Sequence, residues 1–463
     1  MQVIEKRPNS VPFNPHYDPV TDASIGPKSD YAPTYWIGTA GPPPADDGPV
    51  TGDMDVDAVV IGSGYTGLSC ALHLAKNHGI QAHILEANGV AYGCSTRNGG
   101  QAQISSGRLK RSEWIQRYGL DTAKKLHAEI CEAFDLFRAL IKDHDLKCDP
   151  QDGGHYFMAH KARLIPKMTA EAELLRNTFG YDARMLTRDE VHETVIRDQE
   201  AQGAMWEADG VGIHAAKYAF ELCRVARELG ARMHVDSPVQ AWEYKNGVHH
   251  LRTPGGTVRA KRVAVATAAY APRGLHPRLR DRLMPIMSNS MVTRVLTDSE
   301  LEAVGAKKLS PLTDTRVLRH YYRMLPDNRL QIGSRAAITG RDAANPAHLN
   351  GLKEGMNRKF PALRGIELDY SWWGWVDVSH DMMPRITNIP DLPNAAYALG
   401  YGGNGVMYAA QAGRRMAQLL AGEKIPELPI FHSELKHEGW KTPFRRLGQW
   451  GLYKMYHFRD ERG

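Results

Sequence analysis

The sequence predicts an α/β protein, in which a Rossmann-like dinucleotide-binding domain carries an inserted antiparallel-sheet domain of the α+β kind. Two glycine turns, one near residue 62 and one near residue 402, each follow an apolar strand and open a helix. Alternating apolar strands between them predict the antiparallel sheet. A chain of 463 residues with 42% apolar residues can bury the cores of such a two-lobed protein.

Composition and charge exclude several classes of protein. A net charge of +6 spread over 463 residues, with no long run of mixed basic and aromatic residues, makes nucleic acid a poor partner. The five cysteines are scattered without a CxxC pair, which argues against a disulfide framework and against a metal site. We find no signal-peptide core and no membrane-spanning run, so we expect a cytoplasmic protein.

Residues 1–53 form a proline-rich N-terminal arm. Because proline restricts the backbone and few apolar residues stand at helix or strand spacing, we expect the arm to wrap around the body rather than fold alone. Tyr31, Tyr35 and Trp36 are the predicted anchors.

The first ordered unit reads strand, glycine turn, helix, strand. A strand over 56–61 leads into the turn at 62–67, and a second strand over 81–85 ends in Glu86. Such glycines let the backbone approach a pyrophosphate at a helix N-terminus, and the carboxylate can accept hydrogen bonds from ribose hydroxyls. This pattern fits both NAD and FAD. The dinucleotide-binding residues predicted here are Gly62, Ser63, Gly64, Tyr65, Thr66, Gly67, Glu86 and Ala87.

The rest of the chain alternates between the two predicted domains. The dinucleotide-binding domain is predicted to contain residues 54–116, 205–285 and 380–425, and the inserted domain residues 117–204 and 286–379, before a basic, aromatic tail over 426–463. Helices are predicted over 117–142, 161–178, 215–229 and 406–421. Strands are predicted over 232–235, 239–243, 262–267, 291–296, 317–325, 330–332, 366–378 and 395–399, with a hairpin turn at Asn246-Gly247.

The segment after Glu86 narrows the choice of dinucleotide. It reads Tyr-Gly-Cys-Ser-Thr-Arg-Asn-Gly-Gly-Gln over 92–101, and later come Ala-Thr-Ala-Ala-Tyr (266–270), Asp-x-x-Pro (381–384) and Gly-Tyr-Gly-Gly-Asn-Gly (400–405). With the first βαβ unit, these motifs resemble the D-amino-acid oxidase superfamily of FAD-dependent oxidoreductases, and most closely its γ-glutamylputrescine oxidase-like amine oxidases. The resemblance extends over roughly residues 50–463.

This resemblance implies a bound FAD. We expect a non-covalent flavin, because the segment 371–385 contains no cysteine for a thioether bond. The second glycine turn would bring backbone N–H groups and a helix N-terminus to the flavin carbonyl, where negative charge develops on reduction. The further FAD-binding residues that the resemblance implies are Ser95, Thr96, Arg97, Asn98, Gly99, Gln101, Val239, Thr267, Gly403, Asn404, Gly405, Val406 and Met407.

The resemblance also implies the reaction. Enzymes of this kind move a hydride from a carbon beside an amine nitrogen to the flavin; water hydrolyses the imine to an aldehyde, and oxygen is reduced to hydrogen peroxide. Sarcosine oxidases bind the substrate carboxylate with a lysine and an arginine, which correspond here to Met407 and Ser105. We therefore expect a longer amine, such as a γ-glutamylated one, with Arg323 as an alternative cation.

Three residues are the candidates for the substrate and flavin face. They are Tyr322, Gln331 and Met407. Because Gln331 corresponds to the lysine that promotes the oxygen reaction in sarcosine oxidases, the alternative is an FAD-dependent amino-acid or N-methyl-amine dehydrogenase with another electron acceptor. A redox sensor that binds FAD without turnover is the alternative from another class.

The tail interleaves aromatic and basic residues. We expect aromatic side chains such as Trp440, Phe444, Trp450 and Phe458 to dock the tail on its own domain, with a membrane-surface helix as the alternative. The oligomeric state is left open.

Overall fold

The computed structural model describes residues 10–105, 107–437 and 439–461. Its strands are β1 (Met54–Ile61), β2 (Ala82–Leu85), β3 (Gln101–Gln103), β4 (Gln151–Asp152), β5 (His155–Met158), β6 (Ala183–Thr187), β7 (Gly203–Glu207), β8 (Gly210–Gly212), β9 (Arg232–His234), β10 (Ala241–Lys245), β11 (Val248–Thr253), β12 (Gly256–Val265), β13 (Met284–Thr293), β14 (Leu312–Asp314), β15 (Tyr321–Met324), β16 (Leu330–Ser334), β17 (Leu368–Val378), β18 (Arg385–Asn388) and β19 (Ala395–Leu399). Its α-helices are α1 (Tyr35–Thr39), α2 (Tyr65–His78), α3 (Arg111–Tyr118), α4 (Leu120–Asp143), α5 (Ile165–Phe179), α6 (Arg188–Thr194), α7 (Ala215–Glu228), α8 (Asp298–Val304), α9 (Pro346–Lys359), α10 (Gly405–Leu420) and α11 (Arg445–Glu461).

The first sheet forms the predicted Rossmann-like domain. Its strands run in the order β10-β11-β12-β1-β2-β9, and β19 and β18 extend it from β12. β12, β1, β2 and β9 are parallel, with Val60 of β1 between Ala264 of β12 and Ile84 of β2. Asn246 and Gly247 have φ angles of +52° and +79°, which confirms the predicted two-residue turn between β10 and β11.

Helices α2, α7 and α10 pack against the first sheet, and α4 packs on α10. The sequence predicts that α4 belongs to the inserted domain. However, buried Arg415 of α10 pairs with Glu129 of α4 at 2.6 Å between Nη2 and Oε2, and Leu126 and Phe134 of α4 enter the same core as α2. This amphipathic helix therefore packs with the first lobe, because its apolar stripe faces α10.

The second sheet is the predicted antiparallel sheet, and it is larger than predicted. Its order is β17-β13-β16-β15-β14-β5-β7-β6, with β14 and β5 as its parallel pair. The sequence analysis found only helices in the stretch that supplies β5, β6 and β7, because these strands are short. β7 crosses the predicted domain boundary at 205, and β13 begins before the predicted boundary at 286.

The N-terminal arm lies against the body, and its three predicted anchors are buried. Tyr31, Tyr35 and Trp36 are 7%, 5% and 1% exposed. The indole Nε1 of Trp36 donates to the carbonyl oxygen of Asn98 at 2.7 Å. The arm is therefore attached directly to the 92–101 segment that carries the family motif.

The C-terminal tail ends in α11, which docks through polar side chains. Arg446 donates from Nη2 to Oδ1 of Asp18 in the arm at 2.6 Å, and Gln449 and Asp460 are buried. Trp450, in contrast, is 54% exposed. The tail therefore docks on its own domain, but Trp440, Phe444, Trp450 and Phe458 do not dock it, since all four are more than half exposed; among the aromatic residues of α11, only Tyr453 and Tyr456 are half-buried. No helix in the described part of the chain is long and apolar enough to cross a membrane.

Replacing Gly67 with alanine tests the close packing of α2 on the first turn. A Cβ at Gly67 would stand 2.0 Å from the carbonyl oxygen of Gly62, so we expect Gly67→Ala to lower the free energy of unfolding by about 3 kcal/mol. Gly351 is the matched control, since it also lies in a helix and a Cβ there meets nothing within 4 Å. Gly351→Ala should stabilise the fold by up to about 1 kcal/mol. Urea unfolding measures the free energy of unfolding of both variants. Equal changes for Gly67→Ala and Gly351→Ala would contradict the close contact between Gly67 and Gly62.

Candidate active site

A cavity of about 740 Å³ lies between the first sheet, the second sheet and the N-terminal arm. This size suits a large cofactor together with a small substrate. Most of the residues predicted to bind the dinucleotide line it. They are Gly62, Gly64, Tyr65, Thr66, Glu86, Ala87, Ser95, Arg97, Asn98, Gly99, Gln101, Val239, Thr267, Gly403, Asn404, Gly405 and Val406.

The first glycine turn places the N-terminus of α2 at the cavity. Gly62 has a φ of +100°, and a Cβ there would stand 2.7 Å from the carbonyl oxygen of Ala266. The N–H of Tyr65, the first residue of α2, donates to Oγ of Ser95 at 3.0 Å. A helix N-terminus attracts anions, so this turn fits the pyrophosphate of a dinucleotide.

Glu86 ends β2 at the edge of the cavity, where Ser63 holds its carboxylate. The N–H and the hydroxyl of Ser63 donate to Oε2 of Glu86 at 3.0 and 2.7 Å. Burial raises the pKa of the Glu86 carboxyl, and these hydrogen bonds oppose that effect. Ser63 therefore positions Glu86 and does not itself line the cavity; Gly67 also lies outside, against Gly62.

The 92–101 segment forms one wall of the cavity. The Arg97 guanidinium lies over the rings of Tyr92 and Tyr270, at 4.7 and 5.6 Å from their centroids. Nδ2 of Asn98 donates to Oη of Tyr65 at 3.1 Å. Thr96 points away from the cavity, because its hydroxyl donates to backbone carbonyls of its own segment.

The second glycine turn faces the first across the cavity. Gly403 has a φ of +97°, and α10 begins two residues later at Gly405. Nη2 of Arg335 donates to the carbonyl oxygen of Gly402 at 3.0 Å. Val406 lines the cavity, but Met407 turns into the core and is 0% exposed. A second helix N-terminus is thus directed at the cavity, without Met407 as a contact.

The structure brings Tyr321, not Tyr322, to the cavity. Strand alternation turns adjacent residues to opposite faces, and Tyr321 pairs with Gly333 on the face towards the first lobe. A Cβ at Gly99 would stand 2.8 Å from the Tyr321 ring. Tyr322 is fully buried on the other face, where its hydroxyl donates to Asp198.

Gln331 shares a face of the second sheet with Tyr321 but does not line the cavity. It pairs with Arg323 across the sheet and is 0% exposed, and neither of its amide atoms has a hydrogen-bond partner. Arg323 does not reach the cavity either, because it donates to Gln151 and to the carbonyl oxygen of Ile213. Neither side chain is placed to meet the substrate.

Three arginines line the cavity beside the second glycine turn. They are not among the site residues predicted from the sequence. They are Arg108, Arg319 and Arg335. In the described part of the chain none of them forms an ion pair with a carboxylate, and Nε of Arg319 has no hydrogen-bond partner. Burial lowers the pKa of all three, and the charge of Arg335 lowers the pKa of Arg319 further, to about 10.

A pattern in the sequence could have found two of these arginines. Arg319 stands two residues before Tyr321, and Arg335 stands two residues after its partner Gly333. Arg319 and Arg335 lie just outside β15 and β16, so the alternation of these strands, continued past their ends, would place all four residues on the same face. No such signal marks the arm residues 23–27, which also line the cavity.

Asp377 is a buried carboxyl in the cavity wall. It lies near the end of β17, and its Oδ2 accepts a hydrogen bond from the N–H of Gly400 at 2.6 Å. Burial raises the pKa of Asp377 to about 7, although backbone N–H groups favour the ionised form. Asp381, which the family motif marked, lies outside the cavity and pairs with Arg385.

The cavity fits FAD on three observations. First, two helix N-termini point into it. Second, at its turns the backbone segments approach each other so closely that no side chain would fit. Third, the buried hydroxyl of Thr267 on its wall has no hydrogen-bond partner among the described residues. Arg252 and Val239 line the end near Glu86, where an adenosine would lie.

Comparison with known proteins identifies the family. Residues 57–419 match the family model described as "FAD dependent oxidoreductase", and the chain belongs to that family. It is 32% identical to "Gamma-glutamylputrescine oxidoreductase" of Escherichia coli (strain K12) over 375 residues, covering 79% of this chain and 84% of that protein. It is 29% identical to "Probable oxidoreductase OrdL" of Haemophilus influenzae over 399 residues, covering 85% and 88%.

A solved structure with the same fold is glycine oxidase from Geobacillus kaustophilus. Its TM-score is 0.67 at 19% identity, with 80% of this chain and 96% of that chain covered. The predicted fold, family and FAD cofactor are thus confirmed. The protein is an FAD-dependent oxidoreductase that acts on amines or amino acids.

The raised pKa of Asp377 gives a pH test. Because its folded pKa of about 7 lies above the unfolded value, about 4, the stability that it contributes is present below pH 4 and is lost as pH rises through 7. We expect the melting temperature of wild type to fall relative to that of Asp377→Asn between pH 5 and pH 8.

Asp381→Asn is the control for this measurement. The Arg385 guanidinium keeps the pKa of Asp381 below its usual value, so Asp381→Asn should change the melting temperature by the same amount at both pH values. If the melting temperatures of wild type and Asp377→Asn changed in parallel between pH 5 and pH 8, Asp377 would not titrate in this range.

Proposed function

We propose that the protein oxidises the C–N bond of a long amine that carries a carboxylate, as γ-glutamylputrescine does. The bound FAD would accept the hydride from the carbon beside the amine nitrogen. Water would then hydrolyse the imine to an aldehyde. The single observation that carries the proposal is the set of cavity arginines that have no carboxylate partner among the described residues, Arg108, Arg319 and Arg335.

The charge on these arginines calls for an anionic ligand. Arginine stays protonated at neutral pH even when its pKa is lowered to about 10, as it is for Arg319. Like charges without counter-ions in a partly desolvated wall are unfavourable, and a substrate carboxylate relieves this repulsion through charge-assisted hydrogen bonds. A substrate that has only amine groups would add positive charge and would be repelled.

The opposite end of the substrate would meet the flavin near Tyr321. Ser290 and Ser288 fix the hydroxyl of Tyr321, with oxygen–oxygen distances of 2.7 and 3.0 Å. This fixed ring could orient a neutral amine, so that its C–H bond points at the flavin. The arm residues 23–27 and the wall around Asp377 would exclude water from the cavity.

The similarity to a gamma-glutamylputrescine oxidoreductase supports this substrate class, since a γ-glutamyl group supplies one carboxylate at the far end of the amine. A small amino acid is less suitable, because its carboxylate lies only one carbon from the reacting C–N bond. Met407, at the position of the sarcosine oxidase lysine, is buried in the core. The arginines therefore take the place of that lysine.

We also propose that oxygen is the electron acceptor. Positive charge near a reduced flavin stabilises the negative charge that develops on oxygen as the flavin is oxidised, and Arg335, which donates to the second glycine turn, would supply such charge. The second candidate is a dehydrogenase with another acceptor. It is favoured by the absence of a lysine from the described cavity wall and by the neutral Gln331 on the neighbouring strand.

An anaerobic titration of the yellow holoprotein tests the substrate and the acceptor. We expect γ-glutamylputrescine to bleach the flavin absorbance at much lower concentration than putrescine, sarcosine or glycine, because only the first has a distant carboxylate. Rapid recovery of the colour in air would support the oxidase, and slow recovery would support the dehydrogenase. Equal bleaching by putrescine and γ-glutamylputrescine would contradict carboxylate recognition. Acid precipitation should release all the FAD, since we propose a non-covalent flavin.

Arg319→Met tests the role of the arginines directly. Loss of a charge-assisted hydrogen bond should raise KM for γ-glutamylputrescine about 10- to 100-fold, while KM for putrescine stays the same or falls. Arg364→Met is the matched control, because Arg364 is exposed and does not line the cavity. Steady-state kinetics on both substrates measures the effect, and an equal rise in KM for both would show that Arg319 does not bind the carboxylate.

A further inference from the structure

The inner face of α11 is polar, which is unusual for a surface helix. Gln449 and Asp460 are buried against the body, and Oδ2 of Asp460 accepts a hydrogen bond from the N–H of Leu318 at 2.9 Å. Arg446 donates to the carbonyl oxygen of Pro285 at 2.9 Å. Hydrogen bonds and ion pairs, together with the half-buried Tyr453, therefore hold the helix in place and leave its exposed apolar side chains unused.

The outer face of α11 is apolar and exposed. Leu447, Met455 and Phe458 recur at helical spacing and are 67%, 53% and 61% exposed, with Trp450 beside them and Phe444, 58% exposed, directly before the helix. Other exposed large apolar side chains, such as Val11 and Val295, stand alone. Scattered apolar residues are normal on a surface, but a continuous stripe marks a contact site.

The charged side chains around this stripe are basic. Lys441, Lys454, His457 and Arg459 are exposed. Of the two acidic residues in the described segment 439–461, Asp460 is buried, and the exposed Glu461 is neutralised by Arg316 at 3.0 Å between Nε and Oε1. An apolar stripe flanked by basic residues is the pattern of a helix that lies in the surface of an anionic bilayer.

We propose that the outer face of α11, with Trp440 in the preceding turn, docks on an anionic membrane surface. The apolar side chains would enter the boundary between headgroups and acyl chains, and the basic residues would contact lipid phosphates. A second copy of this chain is a poorer occupant, because two such faces would bring their cations together. The proposal does not depend on the substrate proposed above.

Co-sedimentation of the full-length holoprotein with vesicles tests this docking. We expect binding to vesicles that contain phosphatidylglycerol, weaker binding to phosphatidylcholine alone, and a decrease as salt is added. Lys454→Gln should weaken binding to the anionic vesicles about fivefold. No binding to anionic vesicles, or equal binding to both kinds, would overturn the proposal.

A variant of the apolar stripe separates the membrane from a protein partner. Leu447→Asn/Phe458→Asn should reduce vesicle binding at least about tenfold, while Val11→Asn/Val295→Asn, at isolated exposed positions, should leave it unchanged. Both variants should keep the melting temperature and flavin spectrum of wild type, since these side chains are exposed. Sedimentation velocity provides the last check. If wild type and the Val11→Asn/Val295→Asn control are dimers and Leu447→Asn/Phe458→Asn is a monomer, the outer face binds a second copy of the chain, and the proposal is overturned.

Discussion

The site depends on how closely α2 approaches β1. A Cβ at Gly67 would stand 2.0 Å from the Gly62 carbonyl oxygen, so only glycine allows the helix to begin at the end of the strand. This approach puts the N-terminus of α2 next to Glu86 on β2 and next to Ala266 after β12. The parallel strands hold these groups in register, so that the carboxyl end of the sheet carries the helix dipole, the Glu86 carboxylate that we predict to bind the ribose, and Thr267.

The parts of the site that follow from local sequence were predictable. The parts that depend on which face of a strand a residue occupies were not. Glycine turns and their helices are short-range features, and those at 62–67 and 400–405 lie where the sequence places them. Tyr321 and Tyr322 are neighbours of the same type, so only the pairing with Gly333 decides which one faces the cavity. Val406 and Met407 were both predicted to face the flavin, but a helix turns by about 100° per residue, so only Val406 lines the cavity and Met407 lies in the core.

The two ends of the chain act together in this structure. The proline-rich arm supplies residues 23–27 to the cavity wall, and Arg446 of α11 pairs with Asp18 a few residues before them. Arg446 also lies over the ring of Trp375 at 4.9 Å. Tail, arm and second sheet are thus joined at one point, and a contact made by the outer face of α11 would bear on a helix that is anchored on the arm and on the second sheet.

The arm has a consequence for how this family can diversify. The family match covers residues 57–419, but part of the cavity wall is built by residues 23–27, outside that shared region. Mutations in a terminal extension leave the nucleotide-binding core untouched, so selection can reshape this part of the cavity wall at little cost to folding. Related enzymes with the same core could change the wall by gaining, losing or exchanging such an extension, and comparisons limited to the shared region would overlook the change.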